Sequence, residues 1–245
     1  MANHKGGYFR KREENLMKWV SYWRSNPHRF IEDYLGVKLF FFQKILIYMI
    51  NKHPYFMYIA ARGQGKSYLI AIYVVARCIL YPGSKIVLAS GVKNQARLII
   101  SEKIVDLYNK SAALRGEIGD FRNISTGVNA AEVVFKNGSK ITVFVANENA
   151  RGLRSTAICR EEFRQIDKKI EDSVISPFQT VRNQPYMLDK IYGENKILQE
   201  DPVDIYISSS WVDDGHWMWD IVDQAYKGMQ KHNGSILLTF DESIT

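Results

Sequence analysis

The chain has 245 residues, of which 46% are hydrophobic and 24% charged. That is the balance of a globular α/β protein, and it argues against a disordered or fibrous chain. Lys and Arg outnumber Asp and Glu by 33 to 26, giving a formal charge of +7, which favours polyanionic partners. No apolar run reaches the ~20 residues needed to span a bilayer. The start, Met1-Ala-Asn-His-Lys, has no secretory apolar stretch behind it. Cys78 and Cys159 both lie inside apolar runs and read as buried, reduced thiols.

In chain order, residues 1–35 form an amphipathic helical segment (Asn15–Arg24, then Arg29–Tyr34) with a basic cluster at Arg10, Lys11 and Arg12. From Tyr55 onward, short apolar strands alternate with helical patterns, which predicts a largely parallel sheet. The predicted strands are Phe56–Ile59, Ile86–Ala89, Thr156–Cys159, Ile205–Ser208 and Ile236–Leu238, most of them rich in Ile or Val as doubly buried strands are. Predicted helices cover Lys66–Leu80, Lys93–Lys110, a segment after Phe163, and Trp217–Gln230. Between Val133 and Phe144 the apolar alternation flanks Asn137-Gly138, a hairpin signal. Residues 184–202 show no regular pattern and read as an excursion from the core.

The segment Phe56-Met-Tyr-Ile-Ala60-Ala61-Arg62-Gly63-Gln64-Gly65-Lys66-Ser67 carries the clearest chemistry. A strand runs into a glycine loop that opens a helix, as in a P-loop, with Ala60 in place of the first glycine. Gly63 and Gly65 let backbone N–H groups wrap a phosphate, and the helix N-terminus adds positive potential. Lys66 is the residue type that reaches β- and γ-oxygens, and the Ser67 hydroxyl is a ligand for Mg²⁺. The predicted cofactors are therefore ATP and Mg²⁺.

Such a site needs acids at a second strand end. The run Thr156-Ala-Ile-Cys-Arg-Glu161-Glu162 supplies them, and we assign Glu161 to the metal and Glu162 to polarising the attacking water. Glu161 stands where Asp is usual, and Arg160 interrupts the apolar run. The alternative for this pair is a solvated helix start favoured by the helix dipole. Strands near Ile86–Ala89 and Val133–Val145 fall between the two motifs. They leave room for a strand between the P-loop strand and the Glu162 strand, the RecA-like arrangement. The predicted fold is an α/β RecA-like (ASCE) P-loop NTPase with a mostly parallel central sheet, flanking helices and a β-hairpin insertion, spanning residues 36–245.

Several segments in order resemble the ATPase domain of the large terminase subunit of tailed bacteriophages. Leu39-Phe-Phe-Phe-Gln43 is similar to that family's adenine-recognising motif, since a Gln amide can pair with adenine N6 and N7. Val87–Arg97 resembles its strand-to-helix element, Asn149-Ala-Arg151-Gly152-Leu-Arg154 its arginine–glycine loop, Glu162–Asp167 its signature after the acids, and Ser208-Ser209-Ser210 its coupling motif. The resemblance covers residues ~35–215. It implies a motor that hydrolyses ATP to drive double-stranded DNA into a procapsid. The implied partners are a portal protein and a small terminase subunit, and the assembly a homo-oligomeric ring, with a monomer in isolation as the alternative. The implied setting is the host cytoplasm, at the procapsid, with no membrane. Arg151 is the implied finger toward a neighbouring γ-phosphate, with Arg154 as second choice, and Arg62 a γ-phosphate sensor. The family's C-terminal nuclease domain has no counterpart before Thr245, so no cleavage activity is expected. Two other functions fit the same residues: a helicase-like ATPase, and a nucleic-acid-binding module that holds ATP without turnover. The basic cluster at residues 10–12 and Lys136 and Lys140 on the hairpin are candidate DNA contacts.

Overall fold

The computed structural model describes residues 3–92, 97–127, 130–148, 152–178, 188, 193–194, 199–210 and 215–240; the side chains of 3–10, 13, 130 and 240 are also outside the description. Three helices lead in: α1 (Asn3–Ser25), α2 (Pro27–Asp33) and α3 (Phe41–Lys52). Strand β1 (Tyr55–Ala60) then enters α4 (Lys66–Leu80), followed by β2 (Lys85–Ser90). The chain continues through β3 (Ile124–Ser125), β4 (Ala130–Val134), β5 (Lys140–Val145), β6 (Ala157–Glu161), β7 (Val203–Ser208), a helix at Met218–Gln230, and β8 (Ser235–Phe240). Among the described residues one sheet holds eight strands in the order β3-β4-β5-β2-β6-β7-β1-β8. The β3–β4 and β4–β5 pairs are antiparallel and the others parallel.

Both faces of the sheet are covered, and the period-2 alternation of each strand divides its side chains between two cores. Phe56, Tyr58, Leu88, Cys159 and Ile205 pack toward α4 and the N-terminal helices. Met57, Val87, Ile158 and Tyr206 pack toward Phe163 and the helix bearing Met218 and Ala225. Helix α4 is apolar on most of its circumference because it lies between the sheet and α1–α3; Leu69, Ile72, Val75 and Ala76 are all buried. The two cysteines are buried and unpaired with each other, as expected.

The intervening strand comes from a different place than the sequence order suggests. The strand between β1 and β6 is β7, supplied from downstream, whereas β2 and β5 lie on the far side of β6. A parallel strand needs a crossover, so chain order does not set spatial order. The hairpin is also less separate than an insertion, since β5 pairs in parallel with β2 and extends the main sheet. Its turn is a three-residue loop in which Gly138 alone takes a positive φ of 82°. Asn137 Nδ2 and Ser139 Oγ both donate to the Cys78 carbonyl at 2.8 Å, so the turn satisfies the end of α4. Residues 97–110 are helical, with a π-turn at Ile99–Ile104, while 93–96 lie outside the described residues. Most of 184–202 lies outside as well. After Phe163 a 3-10 turn (Phe163–Gln165) precedes a continuous helical run over residues 168–178 that passes from α to π to 3-10 geometry. No helix among the described residues is long and apolar enough to cross a membrane.

Arg160, the charge that interrupts the β6 apolar run, is 1% exposed. Its Nε donates to Glu171 at 2.7 Å, its Nη1 to Asp204, and its guanidinium lies 4.2 Å from the Tyr206 ring centre. Glu171 also accepts from Tyr206 and Ser176 hydroxyls. The network neutralises a charge on the face opposite α4. Replacing Arg160 with Met leaves two carboxylates without their cation, so R160M should lose about 3–5 kcal/mol in urea unfolding. An unchanged midpoint would show that the network contributes nothing to stability.

Candidate active site

The functional residues collect at the carboxyl edge of the sheet, where open α/β sheets bind ligands. Strand β1 ends at Ala60, the loop turns on Gly63 (φ 86°) and Gly65 (φ 65°), and Gly65 caps α4. Only glycine adopts these left-handed angles without penalty. Lys66 begins α4 and is buried; its ammonium donates to the Ala60 carbonyl at 3.1 Å and the Ala61 carbonyl at 2.7 Å. Burial lowers the Lys66 pKa; Glu162 and Glu161 oppose that shift, while Arg164 and Arg62 add to it. Arg62 is exposed on the loop and Gln64 is buried.

Glu161 closes β6 on the same face as Ala157 and Cys159, two residues apart along the strand, and so points toward α4. The Ser67 hydroxyl donates to its Oε1. Glutamate's longer arm thus still meets the P-loop hydroxyl. Burial pushes this carboxyl up to about 7; Glu162 adds to the rise, while the Ser67 hydrogen bond and the charges of Lys66 and Lys103 oppose it. Its other oxygen is buried with no hydrogen-bond partner.

These atoms fit a hard cation. A hydroxyl and a carboxylate with an unsatisfied oxygen are oxygen donors of the kind Mg²⁺ takes. Among the described residues no cluster of three or more His, Cys, Asp or Glu exists. A cation here would therefore complete its shell with phosphate and water, as Mg²⁺ does when it bridges protein and nucleotide.

Glu162 leaves the strand in a left-handed conformation (φ 46°), unusual for a residue with a Cβ. Four contacts hold its carboxylate there. The Ser209 N–H and hydroxyl donate at 3.1 and 2.7 Å, the Ser208 hydroxyl at 3.3 Å, and Arg164 Nε at 2.9 Å. Burial raises its pKa, but the hydrogen bonds from Arg164 and Ser209 outweigh that and hold it below the ordinary carboxylate value. The carboxylate is therefore the charged form, with fixed donors around it. A solvated helix start does not describe either acid.

Gln43 sits in the first turn of α3, buried beside the loop. It shares a cavity of about 420 Å³ with Phe40, Phe41, Phe42, Gly63, Gln64 and Gly65. Ser208 and Ser209 reach the site through Glu162, whereas Ser210 is exposed. Arg154 is exposed, and Arg151 lies outside the described residues. Lys140 pairs with Glu132 at 2.6 Å, and Lys11 and Arg12 are exposed.

One residue had no role assigned from sequence. Arg164 is nearly buried, with a side chain 5% exposed, and it braces Glu162. The available signal was an arginine between Phe163 and Ile166, two residues that had to be buried. The loop after β2 supports the same segment, since a Cβ on Gly91 would lie 2.2 Å from the Gln165 carbonyl oxygen.

No protein-family model matches the sequence, and neither does any curated protein. Solved structures do match. The fold is similar to the HK97 bacteriophage large terminase, with a TM-score of 0.61 and 19% identity over 84% of this chain and 39% of that one. A mutant of the Thermus phage P74-26 large terminase ATPase domain matches at TM-score 0.54 and 14% identity, covering 86% of this chain and 83% of the domain. The large terminase of a thermophilic bacteriophage in complex with ADP matches at 0.53 and 12%, covering 82% and 44%. At these identities the likeness is one of fold. This chain has the RecA-like fold of phage large terminase ATPase domains. It spans about two fifths of the HK97 protein's length.

Gly91→Ala has to displace the Gln165 backbone, and overpacking of that kind costs about 1–3 kcal/mol. Urea unfolding should show this loss together with shifted backbone amide signals at residues 162–165. An unmoved midpoint and spectrum would mean that the two loops do not touch.

Proposed function

We propose that this chain is the ATP-hydrolysing motor domain of a viral large terminase, coupling hydrolysis to the packaging of double-stranded DNA into a procapsid. The observation that carries the reading is the meeting of Ser67 with Glu161 while Glu162 is held charged at the end of the adjacent strand. In this reading the loop N–H groups and Lys66 bind the β- and γ-phosphates. Ser67 and Glu161 would hold Mg²⁺, which would neutralise phosphate charge. Glu162 orients the attacking water and takes its proton. The four donors around Glu162 support turnover over a module that only holds nucleotide.

Ser208 and Ser209 give the site a mechanical outlet, because they join Glu162 to β7, the strand between the two motifs. Arg62 acts as the local γ-phosphate sensor and Arg151 as the finger toward a neighbouring subunit in a ring. The portal protein, the small terminase subunit and a station at the procapsid in host cytoplasm follow from the same reading, and the charge of +7 supports DNA as the polymer moved.

Lys66→Ala should weaken ATP binding by more than about 30-fold, the scale of losing a desolvated charge partner; calorimetry with unchanged affinity would remove the P-loop from the account. Glu162→Gln should keep ATP affinity and lose about 10²–10⁴-fold in phosphate release, the range of general-base catalysis. Near-normal release would assign the base elsewhere. Arg151→Ala should bind ATP normally but lose the concentration-dependent part of hydrolysis. Mixing it with Glu162→Gln subunits should restore activity, and failure to do so places Arg151 in cis.

A further inference from the structure

Glu162 and Arg164 are two positions apart, a spacing at which side chains on a helix do not face each other. The left-handed backbone at Glu162 (φ 46°, ψ 50°) changes that here. It leads into a 3-10 turn over Phe163–Gln165, closed by the Gln165 N–H donating to the Glu162 carbonyl at 2.8 Å. The turn brings Arg164 back, so that its Nε donates to Glu162 Oε2 at 2.9 Å. Phe163 anchors the turn: it is fully buried, and its ring meets Tyr206 and Trp217 edge-on, with ring centres 5.4 and 5.8 Å away. A left-handed residue with a Cβ persists only where its surroundings over-determine it, and such residues cluster at active sites.

The donors around the Glu162 carboxylate are divided unequally. Oε2 accepts from Arg164 Nε, the Ser209 N–H and, at 3.3 Å, the Ser208 hydroxyl. Among the described residues Oε1 accepts only from the Ser209 hydroxyl, at 2.7 Å. A carboxylate oxygen has about two acceptor sites, so Oε2 is full and Oε1 keeps one for a further donor. The serines come from the end of β7 and Arg164 from the turn after β6, which clamps the carboxylate from two sides. Arg164 is the charged member of the clamp. Its Nε–H lies in the plane of a rigid fork, and its side chain is 5% exposed, so it holds one direction where a hydroxyl can rotate. The charges of Glu162 and Arg164 both act on the Lys66 ammonium, which puts the pair within electrostatic reach of the phosphate loop.

We infer that Arg164 is a positioning residue for ATP hydrolysis: by pinning Glu162 Oε2 it aims Oε1 at the attacking water. The inference rests on the reading of Glu162 as the base, and it divides the work between that residue's two oxygens. The water oxygen bonds to the γ-phosphorus, its proton passes to Oε1, and the bond from that phosphorus to the departing ADP oxygen breaks. Arg164 acts on these steps only through Glu162.

Phosphate release at saturating ATP, with calorimetry of ATP binding, tests this on the whole chain. Arg164→Gln should lower kcat about 10²-fold, the scale of a misplaced reacting group, and leave ATP affinity within about threefold. Arg164→Lys keeps the charge without the planar fork and should recover about tenfold of that loss. A double-mutant cycle separates positioning from general damage. In the Glu162→Gln background, where no base remains to be aimed, Arg164→Gln should change the residual rate by less than about threefold. A further loss of about 10²-fold there would overturn the inference, because Arg164 would then act on something other than Glu162. A raised KM with unchanged kcat would overturn it too, by placing Arg164 in nucleotide binding. Should the glutamine variant not fold, Arg164→Lys decides the matter: its kcat should lie about tenfold below the parent's, and parent-level kcat would overturn the inference. Near-normal turnover by Glu162→Gln itself would sink the base assignment. Turnover lost in Glu162→Gln but intact in the Arg164 variants would sink the positioning alone.

Discussion

The hydrogen bond from Ser67 to Glu161 depends on two strand ends arriving level with each other. Ser67 and Glu161 are 94 positions apart in the chain. The bond exists because β7 bridges their strands in register, with Ile59 opposite Ser208 and Ile207 opposite Glu161. Side chains along a strand alternate faces, so a one-residue slip at either pairing would turn an acid or a serine to the wrong side. Buried surfaces on both faces of the sheet prevent that slip, because it would expose a whole apolar set. The site's geometry is thus held by ordinary core packing.

Several buried charges among the described residues are paired with an opposite charge. Arg160 is closed off by Glu171 and Asp204 on one face of the sheet. Arg77 is closed off by Glu200, which also accepts from Ser84 and Thr156. Arg164 does the same for Glu162 next to the site. Glu161 has no cation paired to it among the described residues, with one oxygen on a hydroxyl and the other without a hydrogen-bond partner. An unsatisfied buried carboxylate costs free energy unless something else meets it, so it marks the place where a ligand has work to do. The contrast between the two neighbouring acids follows from this. Glu162 is satisfied and charged, while Glu161 waits on its surroundings.

Much of this was legible in the linear sequence. The P-loop, its strand and helix α4 are contiguous, and local chemistry specifies them: an apolar strand, glycines where φ turns positive, and a helix that is apolar over most of its length. The hairpin was legible for the same reason, since Asn137-Gly138 is a local signal. The role of Arg160 was not, because its partners at 171 and 204 lie on other elements. Arg164 was missed on similar grounds, as nothing nearby says that a charged residue in that stretch turns inward onto Glu162.

The sequence by itself determined the strand–loop–helix that grips a phosphate, the pair of acids, and the alternation that makes a doubly covered sheet. Each of these is written in residues close together in the chain. Tertiary structure alone decided that β7 would separate the two motifs and that Ser208 and Ser209 would hold Glu162. Crossovers between parallel strands carry no local code, and a buried polar atom finds its partner only when distant segments close around it.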